Sequence, residues 1–329
     1  LTGFRIKGPD LESAPPEVWA SSSAALNDAL LTLDHGWTAH FETTRLPSSV
    51  SRGGDFLDPT CRLIDEERRR TLFFETEQWL FLTQAPPWSE QNSTLKNLKS
   101  WLYEEPRRSY EQELRTQLDR FDRTAERFAN SLCAHLQISR FQSEPGNDEL
   151  LQALYHCLTG RWQRTRLPEA PVCLDVLLAE DWLQGDPLTL GKRLVRAITL
   201  RGYPSDTFPG VLSALRALPF ELRWSQRFIV KDYQQSEALL KKEQRRWQQR
   251  TRSFASQVLR TAGRLDQHAL ERANELDAAL GDLNAGAVLY GHHTSVLLIS
   301  GESPEEIEAR SALVERSVQT AGYIAHVET

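Results

Sequence analysis

Ala197-Ile198-Thr199-Leu200-Arg201-Gly202-Tyr203-Pro204-Ser205-Asp206-Thr207-Phe208-Pro209-Gly210 leads into Val211-Leu212-Ser213-Ala214-Leu215 and then Phe220-Glu221-Leu222-Arg223-Trp224-Ser225-Gln226-Arg227-Phe228-Ile229. Leu194, Arg196, Ile198 and Leu200 alternate with Val195, Ala197, Thr199 and Arg201, the period of a strand. Gly202-Tyr203-Pro204 ends it, because proline fixes φ and donates nothing to a ladder. Asp206 or Thr207 can cap a following helix that has Pro209 in its first turn and Val211, Leu212, Leu215 and Leu218 on one face. Phe220, Leu222, Trp224, Phe228 and Val230 then form the apolar row of a second strand. The unit reads strand–helix–strand.

On either side of this block, Leu1–Lys7 is a strand, Ser13–Leu33 a helix behind Pro15 and Pro16, and Gly36–Arg45 a strand. Pro47–Thr71 reads as a loop, Leu72–Gln84 as a strand, and Glu104–Leu136 as a long helix with apolar steps of three and four. Ile138–Gln142 is a closing strand, Ser143–Asn147 a turn and Asp148–Leu158 a short helix. Arg161–Gly191 has four prolines and little period, as a linker does. Beyond the block, two helices span about Gln234–Thr261 and Leu265–Leu283, followed by a strand over Ala287–Ser300. Ser303-Pro304-Glu305-Glu306 is a capping box for a helix to Thr320, which Gly322 ends. Tyr323–Glu328 is a last strand. The expected class is α+β, with two ferredoxin-like β-α-β/β-α-β halves carrying helical insertions. The expected division is 1–145, a linker with a short helix over 146–191, and 192–329 with a helical hairpin inserted at about 234–283.

With 329 residues, 40% hydrophobic and 26% charged, the chain is long and apolar enough for two or more folded units of ~100–200 residues. No apolar run reaches the ~18–20 residues of a membrane span, and no signal-peptide pattern is present. A formal net charge of −6 argues against a general nucleic-acid binder. Cys61, Cys133, Cys157 and Cys173 form no C-x-x-C pair and read as reduced thiols of a cytosolic compartment. Methionine is absent where roughly seven are expected, which implies a fragment or a sequence that has lost its methionines.

Few residues carry a chemical signature. The nearest approach to a phosphate loop, Gly185 to Gly191-Lys192-Arg193, is one residue too long and has arginine where Ser or Thr would hold magnesium. Val176-Leu177-Leu178-Ala179-Glu180-Asp181 resembles the acidic end of a metal-holding strand, but without a phosphate loop it reads as a buried segment ending in a solvated loop. His292 and His293 are neighbours on a strand and so point to opposite faces. Neither His326 nor the His156-Cys157 pair completes a zinc spacing, and no G-x-S-x-G elbow occurs. No catalytic, metal or cofactor-binding residue is therefore assigned. Lys241, Lys242, Arg245, Arg246, Arg250 and Arg252 surround Trp247 with only Glu243 against them. On a helix they make a basic surface for an acidic protein, a lipid surface or DNA phosphates, or a solvated face that buries Trp247.

In its motifs the chain resembles the N-terminal region of TrbE-like ATPases of the CagE/TrbE/VirB family of conjugal-transfer and type IV secretion systems. The likeness rests on Phe4–Leu11, Leu63–Arg69, the Arg201–Phe228 block, Arg245-Arg246-Trp247 and Tyr290-Gly291, and within the block on Arg201, Gly202, Pro204, Pro209, Gly210, Arg223 and Trp224. It implies a parent protein whose C-terminal motor binds ATP and Mg and powers pilus assembly or export. It further implies self-association, docking to inner-membrane secretion subunits and a cytoplasmic position against the bacterial inner membrane. For this chain it implies an assembly role without catalysis. The competing reading is a nucleic-acid-binding module that uses the basic helix.

Overall fold

A computed structural model describes residues 1–9, 14–48, 54–70, 72–85, 110–170, 172–178, 183–185, 188–204, 207–258 and 267–328. For residues 110, 111, 248–258, 267–270 and 273 only the backbone is described. The first half begins with β1 (Thr2–Lys7), α1 (Pro16–Leu31), β2 (Trp37–Pro47), α2 (Pro59–Arg70) and β3 (Phe74–Gln84). It continues with α3 (Tyr110–Leu132), β4 (Gln137–Arg140), a small hairpin of β5 (Ser143–Glu144) and β6 (Asn147–Asp148), and α4 (Glu149–Thr159). A short α5 (Leu174–Leu178) and the hairpin β7 (Leu183–Gln184)–β8 (Thr189–Leu190) lead to β9 (Arg193–Gly202). Then come β10 (Leu222–Val230), α6 (Tyr233–Val258), α7 (Gln267–Asn284), β11 (Gly291–Gly301), α8 (Pro304–Thr320) and β12 (Ile324–Val327).

The large strands form one ten-stranded sheet in the order β4-β1-β3-β2-β10-β11-β9-β8-β7, with β12 also paired to β9. Counting strands within each half, β1–β4 and β9–β12 both run 4-1-3-2, antiparallel throughout. That order is what supports a ferredoxin-like description of the halves; the α+β class itself is plain. The halves join along β2 and β10, where Phe41 pairs with Gln226 and Glu42 with Ser225. The inserted α2 and the α6–α7 hairpin occupy the same place in the two halves, between second and third strands.

One face of this sheet carries the main core. Along β10, Leu222 and Trp224 pack in the second-half cluster and Phe228 and Val230 in the first, so both clusters lie on one side. In the first half α1 and α3 cover Phe4, Leu80 and Leu82, and Trp37 stacks on Phe121 with ring centres 4.9 Å apart. In the second half α8 lays Ile307, Val314 and Val318 on Ile198, Leu297 and Ile299. Burying each such side chain contributes about 1.5–3 kcal/mol. On the opposite face α4 sets Ala153 against Trp79 and Phe81.

Several expectations change. Pro47–Thr71 is not simply a loop, since α2 occupies Pro59–Arg70. No residue of α2 is buried, so it shows no apolar period; Asp58 accepts from the Thr60 N–H at 2.7 Å, and Asp65–Arg69 (2.6 Å) and Glu67–Arg70 (3.6 Å) bridge successive turns. The helix expected after Pro209 is only a 3-10 turn over Ser213–Ala217. Gly210 has φ +86°, which starts the turn too late, and the extended Leu218 before Pro219 ends it early. Ser143–Asn147 is not a bare turn but carries the β5–β6 hairpin around Gly146, at φ +94°. The Val176 segment is not a buried strand: it lies in α5, where only Leu178 is buried and Val176 is exposed. Glu180 and Asp181, like Ser205, Asp206 and the start of the helix placed at Glu104, lie outside the described residues.

Candidate functional site

The basic face assigned from sequence stands on α6, in the hairpin that leaves the sheet between β10 and β11. Asp232 starts α6 by accepting from the Gln235 N–H at 2.6 Å. The two helices are tied by Tyr233 to Asn284 (2.5 Å) and by Gln244 to Asp277. Lys241, Lys242, Arg245 and Arg246 line the accessible side of α6, and Trp247 is half-buried. Glu237 meets Lys241 at 2.8 Å and Glu243 meets Arg246 at 3.7 Å. Exposed pairs of this kind contribute at most about 1 kcal/mol each, so the face remains open to a competing anion. With Glu237, Ala238 and Glu243 the four cations line a shallow depression of about 640 Å³. The side chains of Arg250 and Arg252 lie outside the described residues.

The positions of the 197–229 block separate into two places. Arg201 pairs with Glu328 at 2.9 Å beside the β9–β12 pairing. A Cβ on Gly202 would come within 2.7 Å of Ile324, so glycine lets β12 close on β9. Pro204 lies against Gly322, where a Cβ would stand 3.2 Å from the proline ring. Pro209 is exposed, and Gly210 carries the turn described above. Arg223 and Trp224 are neighbours on β10 and point to opposite faces. Trp224 donates to Ser295 at 2.8 Å on the core side.

Arg223 faces a buried polar cluster that sequence reasoning missed. Its guanidinium lies 3.5 Å from Glu42 and donates to the Cys157 carbonyl. Ser225 donates to Glu42 at 2.5 Å. Burial pushes the Glu42 carboxyl above its usual range, against the pull of Arg223 and Ser225. His156, edge-on to Trp79 and Trp162, is held down to about 4 by burial first and then by Arg223. Burial pushes the Cys157 thiol up to about 12, which keeps it an unreactive thiol at neutral pH. The sequence signal for this cluster was slight, an arginine in the second row of a strand, because its partners lie in other elements. Elsewhere Tyr203 meets His293 at 3.1 Å and packs edge-on against Tyr323.

Among the described residues no three His, Cys, Asp or Glu side chains stand close enough to share a metal ion. Nor is any described helix long and apolar enough to cross a membrane.

This sheet with its basic hairpin belongs with secretion machinery. The family described as "CagE, TrbE, VirB family, component of type IV transporter system" matches residues 139–329, and the chain belongs to that family. The N-terminal domain of the type IV secretion system ATPase VirB4/TrbE matches residues 1–91. The chain is 28% identical to the conjugal transfer protein TrbE of Rhizobium radiobacter over 344 aligned positions, all of this chain and 42% of that protein. It is 30% identical to a probable conjugal transfer protein TrbE of Sinorhizobium fredii (strain NBRC 101917 / NGR234), over 61% of this chain and 32% of the relative. It is 26% identical to the type IV secretion system protein virB4 of Brucella suis biovar 1 (strain 1330), over 52% of this chain and 19% of the relative. The chain thus spans less than half the length of these relatives.

Proposed function

We propose that this chain is the docking and assembly region of a conjugative type IV secretion ATPase and does not itself turn over ATP. The observation that carries the reading is a pair of facts. Family matches cover residues 1–91 and 139–329, and no Gly-x-x-x-x-Gly-Lys-Ser/Thr run occurs in the sequence. ATP and Mg belong, on this reading, to a C-terminal motor like that of the longer relatives. The region sits at the cytoplasmic side of the bacterial inner membrane, self-associates, and meets inner-membrane secretion subunits through Lys241, Lys242, Arg245, Arg246 and Trp247.

The first test compares ATP binding and turnover by this chain with those of the Rhizobium radiobacter relative. Turnover by the longer protein alone supports the reading; turnover by this chain overturns it. The nucleic-acid alternative predicts DNA binding whose log–log salt slope falls when the α6 cations are neutralised. The formal charge of −6 weighs against it.

A further inference from the structure

On the face of the sheet opposite the main core, a cleft of about 670 Å³ opens where the two halves meet. That volume is in the range of pockets that enclose a small ligand or a few peptide residues. Its walls are apolar: Leu46, Leu178, Leu183, Leu190, Val195 and Leu298 contribute from both halves and from the segment between them. Its polar lining is unusual for a buried surface. Thr44 and His156 are 2% and 5% exposed, and the Thr44 hydroxyl and His156 Nδ1 have no hydrogen-bond partner. The Nε atoms of Arg45 and Arg223, also in the lining, are buried and make no hydrogen bond either, Arg223 Nε standing 3.5 Å from Glu42. Buried polar groups are ordinarily paired, because an unmet one costs about 1–3 kcal/mol.

The chemistry of these groups defines the missing partner. The two arginine Nε–H groups can only donate. His156 is neutral near pH 7 and hydrogen-bonds the Arg161 backbone, which leaves Nδ1 as an acceptor. Charge is already balanced, with Arg223 beside Glu42 and Arg193 3.0 Å from Glu221. Arg45 and Asp175 add one charge of each sign. A carboxylate or ammonium would upset that balance. A neutral group that accepts and donates side by side would not, and a peptide amide flanked by apolar side chains has that form.

We propose that this cleft binds a short, uncharged, apolar peptide segment of a partner protein, with Arg223 and His156 reading its backbone and the leucines holding alternate side chains. The site is separate from the basic face of α6.

The test is affinity selection on this immobilised chain from a pool of acetyl- and amide-capped pentapeptides. Each position carries Leu, Ile, Val, Phe, Ser, Lys or Asp, and bound peptides are read by mass spectrometry. The expected result is at least tenfold enrichment of neutral peptides with apolar residues at alternate positions. Enrichment should vanish in Leu298→Trp, which fills the cleft, and persist in Arg193→Gln at its rim. Because Leu298→Trp can disturb the sheet, His156→Phe, which removes the acceptor, is the second variant. It should lower the enrichment about tenfold, as loss of one buried hydrogen bond does. No enrichment, equal enrichment of Lys- or Asp-containing peptides, or enrichment unchanged in both variants overturns the proposal. Displacement of the enriched peptides by an equal concentration of dodecanoate also overturns it, because the cleft would then be a site for an acyl chain.

Discussion

His156 shows how one residue links fold and stability. Its pKa is about 4 in the folded chain against an ordinary value near 6.5, because it is buried beside Arg223. A depressed folded value contributes stability above the unfolded pKa, and that stability is lost as pH falls through the folded one. Urea denaturation should therefore show the chain losing about 2–3 kcal/mol between pH 6.5 and pH 4 from this group. In His156→Gln that slope should flatten. An unchanged slope would mean that other groups set the acid limb. Gly291 makes a second case. A Cβ there would stand 2.4 Å from the Ile229 carbonyl oxygen, so Gly291→Ala must push β11 from β10. It should lower the urea midpoint by the equivalent of about 1–3 kcal/mol. Neither effect is legible in the sequence. The groups that crowd His156 and Gly291 come from other elements, and no local pattern names them.

Among the helices and strands, sequence reading succeeded where a signal was local. The capping box at Ser303 is built as expected: its hydroxyl accepts from the Glu306 N–H at 3.2 Å, and the Glu306 carboxylate returns to the Glu302 N–H at 2.7 Å. Ser303→Ala should cost about 1 kcal/mol, measurable as a shift in thermal midpoint without loss of structure at room temperature. The strands β9 and β10 and the hairpin helices likewise follow from their periods. The helix at Pro209 failed because apolar spacing cannot count how many residues a positive-φ glycine and a proline leave between them. α2 failed for the opposite reason, since a helix held only by its own charges has no apolar stripe to read. On α6, changing Lys241, Lys242, Arg245 and Arg246 together to Gln should leave stability within about 1 kcal/mol, because exposed pairs contribute little. Pull-down of inner-membrane secretion subunits should fall sharply with the same variant. A large loss of stability would make the face structural instead.

For the chain taken together, the seam between β2 and β10 matters most. One sheet runs through both halves, and Glu42, Ser225 and Arg223 bind across it. The chain should therefore unfold as one cooperative unit, with tryptophan fluorescence and far-ultraviolet circular dichroism giving coincident transitions. Two separate transitions would show halves that fold alone, as the sequence division at 146–191 suggests.

The α+β class, most strands and long helices, the cap at Ser303 and the family likeness could all be read from the order of residues. Each of these is written in neighbours along the chain, in periods of two and 3.6 or in short motifs. Three features needed the folded arrangement. The halves share a sheet, Arg223 meets a glutamate 181 positions before it, and an apolar cleft with unmet hydrogen bonds lies at their junction. Strand pairing is non-local: alternation says which face a residue takes, and nothing in it says which strand lies next door.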